Sequence, residues 1–549
     1  MSVFSRTEHL ARLQEKEFDL LVIGGGIIGA GIARDAAMRG LSVAMLEARD
    51  FCSGTSSKSS KMLHGGIRYL EQFEISLVFE ASKERRLHSD LLAPHLAQPV
   101  PFLIPVYPWS PHGMLAVSAG VYLYDALAMF RNHGTRILSR EQAMKEEGRL
   151  ESKGLKGGVV FHDVVMDDAR LGLENVRSAA HHGAVTVNYT FVRGFDKDGT
   201  GRLRGVWAKD ALAPGKPDFL IKARAFANAS GPWCDYIRRL ANPEAEPQLR
   251  PTKGTHMVLP NDRLGKTHAF VLTAKADNRV FFSIPWFGRT LVGTTDTDYD
   301  PAIDGPLEDI RATQNDVDYL LESVKRTFPG SSVTQKDVHS TFAGLRPLVS
   351  EGKASDPSSI SREHRIWQEE SGLFSIAGGK YTTYRVMAAE MVDKVLRHLV
   401  KNFTGFDPGK KAVTQYEPIV LGEQGAKQAL SQYTGLLEDY NNRLDADTVQ
   451  HLQKRYGARW QRVADIAMQD VSMRERIVPS EPDILAEAVY SKEHEMAVGF
   501  DDFLRRRTML ALKAPLAQNM DRLSKAAAVF GEENLSVERV LHWQGLDLK

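Results

Sequence analysis

Residues 51 to 72 read FCSGTSSKSSKMLHGGIRYLEQ, and six of the eight positions from Ser53 to Ser60 carry a hydroxyl. Small donors at this density suit a long, polyhydroxylated ligand; a flexible solvated linker is the plain alternative. The residues just upstream decide between the two. In FDLLVIGGGIIGAGIARDAAMRGLSVAMLEARD, residues 18 to 50, Gly24, Gly26 and Gly29 form a GxGxxG set between a strand-like apolar run and a helical one. Such glycines serve a tight turn, a close backbone approach to a pyrophosphate, and close helix-to-strand packing. Glu47, at the end of the second strand, is placed to accept hydrogen bonds from an adenosine ribose. Its charge would repel a 2′-phosphate, which disfavours NADP and leaves NAD and FAD.

FAD is the longer ligand and needs later segments of the chain. The hydroxyl-rich loop, Ser53 to Lys61, lies where the phosphates and ribityl chain would pass. Two further pieces favour FAD: NASGPW, Asn228 to Trp233, and AGGKYTTYR, Ala377 to Arg385, a glycine turn entering a helix. The second would aim a helix N-terminus at a polar end of the flavin. No second GxGxxG follows, so a built-in NADH site is not indicated.

These elements must sit in a chain of 549 residues, long enough for two or three domains. Seventy basic residues against sixty-nine acidic leave a net charge of +1, with no global attraction for nucleic acid. Only Cys52 and Cys234 occur, without CxxC spacing, which excludes a disulfide framework and a zinc knuckle and fits a reducing, cytoplasmic setting. The N-terminus lacks a signal-peptide pattern. GMLAVSAGVYLYDALAMF, 113 to 130, carries Asp125 and reads as a buried or interfacial helix rather than a spanning one.

The fold expected is α/β with an antiparallel β substrate domain, an amino-acid-oxidase-like arrangement of the FAD/NAD(P)-binding Rossmann type, and a C-terminal α-helical cap. The FAD domain is placed at 1–245 and 340–402, the inserted antiparallel sheet at 246–339, and the helical domain at 403–549.

With SGTSSKSSKMLHGGIRYLEQ, KGTHMVLP, VGTTDTDY, AGLRPLV with ISREH, and AGGKYTTYR in order, the chain resembles the FAD-dependent, quinone-linked glycerol-3-phosphate dehydrogenases from about residue 16 to at least 400; DDFLRRRTML resembles their C-terminal domain. The resemblance implies oxidation of sn-glycerol 3-phosphate to dihydroxyacetone phosphate by hydride transfer to non-covalently bound FAD, with electrons passing to a membrane quinone. It implies Arg346, Arg362, Arg68 and Tyr69 for the substrate phosphate, and His256 as first choice and Lys380 as second for the base, with an arginine-assisted variant open. For the cofactor it implies Gly24, Gly26, Ile28, Gly29, Glu47 and Ala48 around the first turn. It adds Ser53, Gly54, Thr55, Ser56, Ser57 and Lys61 in the loop, with Leu63, His64 and Gly65 after it. Val192, Ala229, Gly231 and Trp233 follow, then Gly344, Arg346, Gly379, Lys380 and Thr382. No metal is expected.

Quinone reduction without a spanning segment implies peripheral attachment to the cytoplasmic face of the inner membrane, with Arg505 to Arg507 and KERR, 83 to 86, as the basic clusters on offer. A homodimer is a further expectation. Rival readings are a glycerophosphate oxidase using oxygen, another FAD enzyme of the amino-acid-oxidase type, and a flavin-binding protein without catalysis.

Overall fold

A computed structural model describes residues 4–131, 134–264, 267–274, 277–350, 363–419, 440 and 442–548. The glycine fingerprint opens a parallel sheet. Its strands run in the order His364–Gln368, Leu373–Gly378, Phe226–Asn228, Leu20–Ile23, Val43–Leu46, Val185–Val187, and only the first is antiparallel to its neighbour. The central strands are buried along their whole length, so they read as continuous apolar runs rather than alternating ones. The Ile27–Met38, Asp168–His181 and Tyr384–Asn402 helices pack together against this sheet through Ala30, Ala33, Val176, Ala388 and Met391.

The second sheet has ten strands among the described residues. Leu249–Pro260 lies against Ser340–Val349 over ten register positions, with Arg289–Gly293, Val280–Trp286 and Ala269–Thr273 following outward. This sheet does not stay within 246–339. Ala97–Val106, Gly157–Met166, Arg136–Ser139 and Met62–Leu63 complete it, and Ser340–Val349 belongs to it rather than to the first domain. The cause is hydrogen bonding: Ala97–Val106 exposes a backbone edge that pairs in parallel with Ala269 and Phe270.

The helices described beyond residue 440 pack around Leu485, Phe500, Phe503, Leu510 and Trp543. They are fastened to the FAD domain by buried ion pairs. Glu495 receives Arg170 at 2.7 Å and Arg177 at 2.6 Å, and Glu174 pairs with Arg459. Burial raises the Glu174 pKa, but Arg459, Arg170 and Arg177 outweigh it and bring the value down to about 2. The carboxylate is thus held charged inside the protein.

The basic clusters expected to meet a membrane are in part paired internally, through Arg506, Arg507 and Arg85. Arg507 is fully buried and holds Asp50 at 2.8 Å through both Nη atoms, and Arg506 Nε reaches the same carboxylate at 2.5 Å. Arg85, of the KERR stretch, is buried against Asp163 and Tyr124. Guanidinium groups taken out of water need such partners.

The 113–130 stretch forms the Met114–Leu127 helix, with Asp125 buried and Leu115, Met129 and Phe130 turned outward. Among the described residues, no helix is long and apolar enough to cross a membrane.

Candidate active site and cofactor chamber

A chamber of about 610 Å³ runs from the carboxyl ends of the parallel strands to the inner face of the second sheet. At one end stands the glycine turn. Gly24 adopts φ +108°, and a Cβ there would lie 2.6 Å from the Ala229 carbonyl oxygen. Gly29 does not line the chamber; it lets the helix press on the Gly24 carbonyl, the packing role of the third glycine. Glu47 accepts the backbone N–H of Gly25 at 2.7 Å and of Arg49 at 2.9 Å, and burial raises its pKa. Ile28, Ala48, Val192, Ala229, Gly231 and Trp233 line this end, and the Trp233 indole N–H donates to Glu308 at 2.6 Å.

Most of the hydroxyl-rich loop lines the chamber, and its hydroxyls also bond protein partners. Ser56 Oγ accepts the Ile27 N–H at 2.9 Å, and Thr55 donates to the Leu345 carbonyl at 2.7 Å. Ser59 donates to Asp168 at 2.7 Å, and Ser60 meets His256 at 2.9 Å. Four of the six hydroxyls therefore tie the loop to the surrounding elements. Ser53, Gly54, Thr55 and Ser56, with Lys58 to Ser60, stand on the chamber wall, while Ser57, Leu63 and Gly65 lie off it. Lys61 is also off it: its ammonium is buried, 2.6 Å from both Asp168 Oδ1 and the Ser57 carbonyl, since an unpaired ammonium could not be held there. It anchors the loop to Asp168.

At the far end, antiparallel register sets His256 opposite Phe342, Gly254 opposite Gly344 and Thr252 opposite Arg346. His256 stacks on the Phe342 ring at 4.8 Å. Burial, then the nearby charges of Arg346 and Lys61, push its pKa well below the usual value, so the imidazole is neutral. Arg346 donates to Asp296 at 3.0 Å and Thr294 at 2.9 Å. Gly254 makes room for it; a Cβ there would lie 2.5 Å from Arg346 Nη2. The bare Gly344 likewise lets the Lys58 backbone approach.

Gly378 and Gly379, both at positive φ, turn the chain into the Tyr381–Thr383 turn and the helix behind it. Lys380 Nζ sits 3.4 Å above the Tyr69 ring, a cation–π contact, and His64 stacks on the same ring with centroids 6.5 Å apart. Thr382 Oγ1 bonds the His64 backbone at 3.1 Å on both N–H and carbonyl. Arg68 stands apart from this group: it is exposed on the Ile67–Gln72 turn and does not line the chamber, because a 3-10 turn sends adjacent side chains in different directions. Arg362 lies outside the described residues.

Sequence reasoning missed three supports. Ser60, on the chamber wall, bonds His256; Asp296 and Thr294 fix Arg346; Glu308 fixes Trp233. VGTTD, on the strand end paired beside His256, is the available signal for the second.

A glycine turn backed by a buried acid, a chamber continuing to a second sheet, and a helix N-terminus at its far end define an FAD-dependent oxidoreductase, and these residues fit the dinucleotide. The family described as FAD dependent oxidoreductase matches residues 19–391, and that described as C-terminal domain of alpha-glycerophosphate oxidase matches 412–535. An aerobic glycerol-3-phosphate dehydrogenase of Staphylococcus aureus (strain USA300) is 38% identical over 512 residues, covering 92% of this chain and 89% of the relative. The glycerol-3-phosphate dehydrogenase from Bacillus halodurans, solved in complex with FAD, superposes with a TM-score of 0.77 at 32% identity, covering 99% of this chain and 96% of that one. An L-alpha-glycerophosphate oxidase from Mycoplasma pneumoniae with FAD bound shares the fold at TM-score 0.55 and 19% identity, covering 69% and 95%. The chain belongs to the FAD-dependent glycerol-3-phosphate dehydrogenase family, and its cofactor is FAD.

Proposed function

We propose that this protein oxidises sn-glycerol 3-phosphate to dihydroxyacetone phosphate and passes the electrons to a membrane quinone. The observation that carries the reading is the convergence of neutral His256, Arg346 and Lys380 on one end of a chamber whose other end carries the dinucleotide fingerprint. Bound FAD supplies a hydride acceptor for the hydrogen on C2. His256, held by Ser60 and Phe342, takes the hydroxyl proton as that hydride leaves, so the C–H and O–H bonds break while the carbonyl forms. Lys380 and Arg346 hold the phosphate dianion, the second with its fork preset by Asp296 and Thr294. Tyr69 fixes Lys380 from below. Arg362 is a further candidate for the phosphate.

Peripheral attachment is supported by an apolar face rather than by basic clusters. Phe73, Ile75 and Phe79, with Leu115, Met129 and Phe130 on and just beyond the neighbouring helix, are all exposed, Leu115 at 87% and Phe73 at 84%. A lipophilic acceptor would enter from a bilayer covering this face.

Anaerobic addition of glycerol 3-phosphate to the yellow holoenzyme tests the reading: the flavin band should bleach, and no bleaching at millimolar substrate overturns it. Comparing peroxide release with reduction of a quinone analogue then distinguishes the dehydrogenase from an oxidase.

A further inference from the structure

Beside the cofactor chamber lies a second cavity of about 400 Å³, between the FAD domain and the C-terminal helices. Arg49, Ser53, Lys58 and Glu308 line both. Its acids are already engaged. Asp50 is held by Arg506 and Arg507, Asp309 by Arg311 at 2.5 Å, and Glu308 by the Trp233 indole. Asp501 stands 3.8 Å from Arg506.

Among its cations Arg49 is exposed, and two that are not exposed lack a partner. The Lys58 ammonium and the Arg505 guanidinium, both half-buried, have no hydrogen-bond or ion-pair partner among the described residues. Every other partly buried cation named above is matched to a carboxylate, a carbonyl or a ring. Two unmatched like charges on one wall raise the energy of the empty cavity, and a small dianion relieves both at once. Burial, then Arg505, Arg506 and Arg49, holds the Lys58 pKa down to about 7, in keeping with that crowding.

We propose that this cavity is a second anion site, taking a small phosphate dianion between Lys58 and Arg505, apart from the substrate position at Arg346 and His256. Lys58 stands on the hydroxyl-rich loop and Arg505 on the C-terminal domain, so the anion bridges the two and tightens the loop over the cofactor. Its natural occupant is orthophosphate or an organic phosphate monoester; both offer the same oxygens to the two cations.

Equilibrium dialysis of the FAD-loaded enzyme at fixed ionic strength tests this, with labelled inorganic phosphate and glycerol 2-phosphate as separate probes. At saturation the wild type should take up more phosphate per flavin than the substrate position alone can hold. Arg505→Met and Lys58→Met should lose the excess. Arg505→Met should keep its flavin content and its turnover without added phosphate, which shows that the variant is folded. Tighter uptake of glycerol 2-phosphate supports an organic monoester as occupant, and equal or weaker uptake supports orthophosphate. Uptake in the wild type that never exceeds one phosphate per flavin, as when FAD itself occupies Lys58, overturns the proposal. So does undiminished uptake in Arg505→Met, or no uptake of either probe. Flavin bleaching by glycerol 3-phosphate is read separately, so failure of the proposed reaction and failure of this site are distinguishable.

Discussion

The Nε2 of His256 lies 2.9 Å from the hydroxyl of Ser60, joining the inner strand of the second sheet to the last hydroxyl of the loop after the dinucleotide turn. With the Phe342 stack, that contact sets the imidazole's orientation and couples the proposed proton acceptor to the hydroxyl-rich loop. His256→Gln should lower kcat by about 10²- to 10⁴-fold, the usual range for a general base, while flavin content stays intact. Ser60→Ala should lower it by less. Stopped-flow flavin reduction measures both.

The pH dependence follows from the depressed His256 pKa. The native imidazole stays neutral where the unfolded one, with its ordinary pKa near 6.5, already binds a proton. Its contribution to stability is therefore complete above about pH 6.5 and is lost as pH falls toward the native pKa. Chemical denaturation at stepped pH should show stability declining below about pH 6.5, with a shallower decline in His256→Gln. Flavin reduction should keep its rate to a pH well below 6.5.

Arg346→Lys keeps the charge but loses the fork held by Asp296 and Thr294. A lost charge-assisted hydrogen bond costs about 1.5–3 kcal/mol, so KM for glycerol 3-phosphate should rise about 10- to 100-fold. Steady-state kinetics with a dye acceptor gives the number; an unchanged KM would remove Arg346 from the phosphate.

Asp50→Asn takes from the buried Arg506 and Arg507 the carboxylate they share, while Arg506 keeps Asp502 at 2.5 Å, and should destabilise the protein by about 3 kcal/mol, the low end for a broken buried pair. Burial raises the Asp50 pKa, but Arg507 and Arg506 outweigh it and bring it to about 2. The stabilisation is thus present above the unfolded carboxylate pKa and lost as pH falls toward 2. Calorimetry should show a lower Tm at neutral pH for the variant, with the gap closing in acid.

Leu115→Ser with Phe130→Ser should weaken sedimentation with lipid vesicles without changing anaerobic bleaching by glycerol 3-phosphate, because both side chains are exposed and far along the chain from the chamber residues. Equal sedimentation of wild type and double variant would exclude this face as the docking surface.

The cofactor end was legible because its signals are local. Gly24, Gly26 and Gly29 and the acid at Glu47 sit within one βαβ unit, where spacing along the chain fixes spacing in the fold, and the structure lines its chamber with the turn it predicts. Lys61 and Arg68 were not legible in the same way. Lys61 sits in a hydroxyl-rich run like the loop residues that face the chamber, yet Asp168, distant in sequence, captures its ammonium. Arg68 is next to Tyr69, yet only Tyr69 faces inward.

By itself, then, the sequence determined the parallel FAD-binding unit and its glycine turns, and it offered the candidate groups proposed to hold a phosphate and move a proton. These depend on backbone freedom and residue chemistry within short stretches. Tertiary structure alone decided that the second sheet recruits 97–106 and 157–166, that the Arg505 to Arg507 run divides into two buried anchors on Asp50 and one unmatched cation, and that Ser60 faces His256. Strand edges must be paired and buried charges matched wherever partners happen to meet, and that meeting is a property of the whole packed chain.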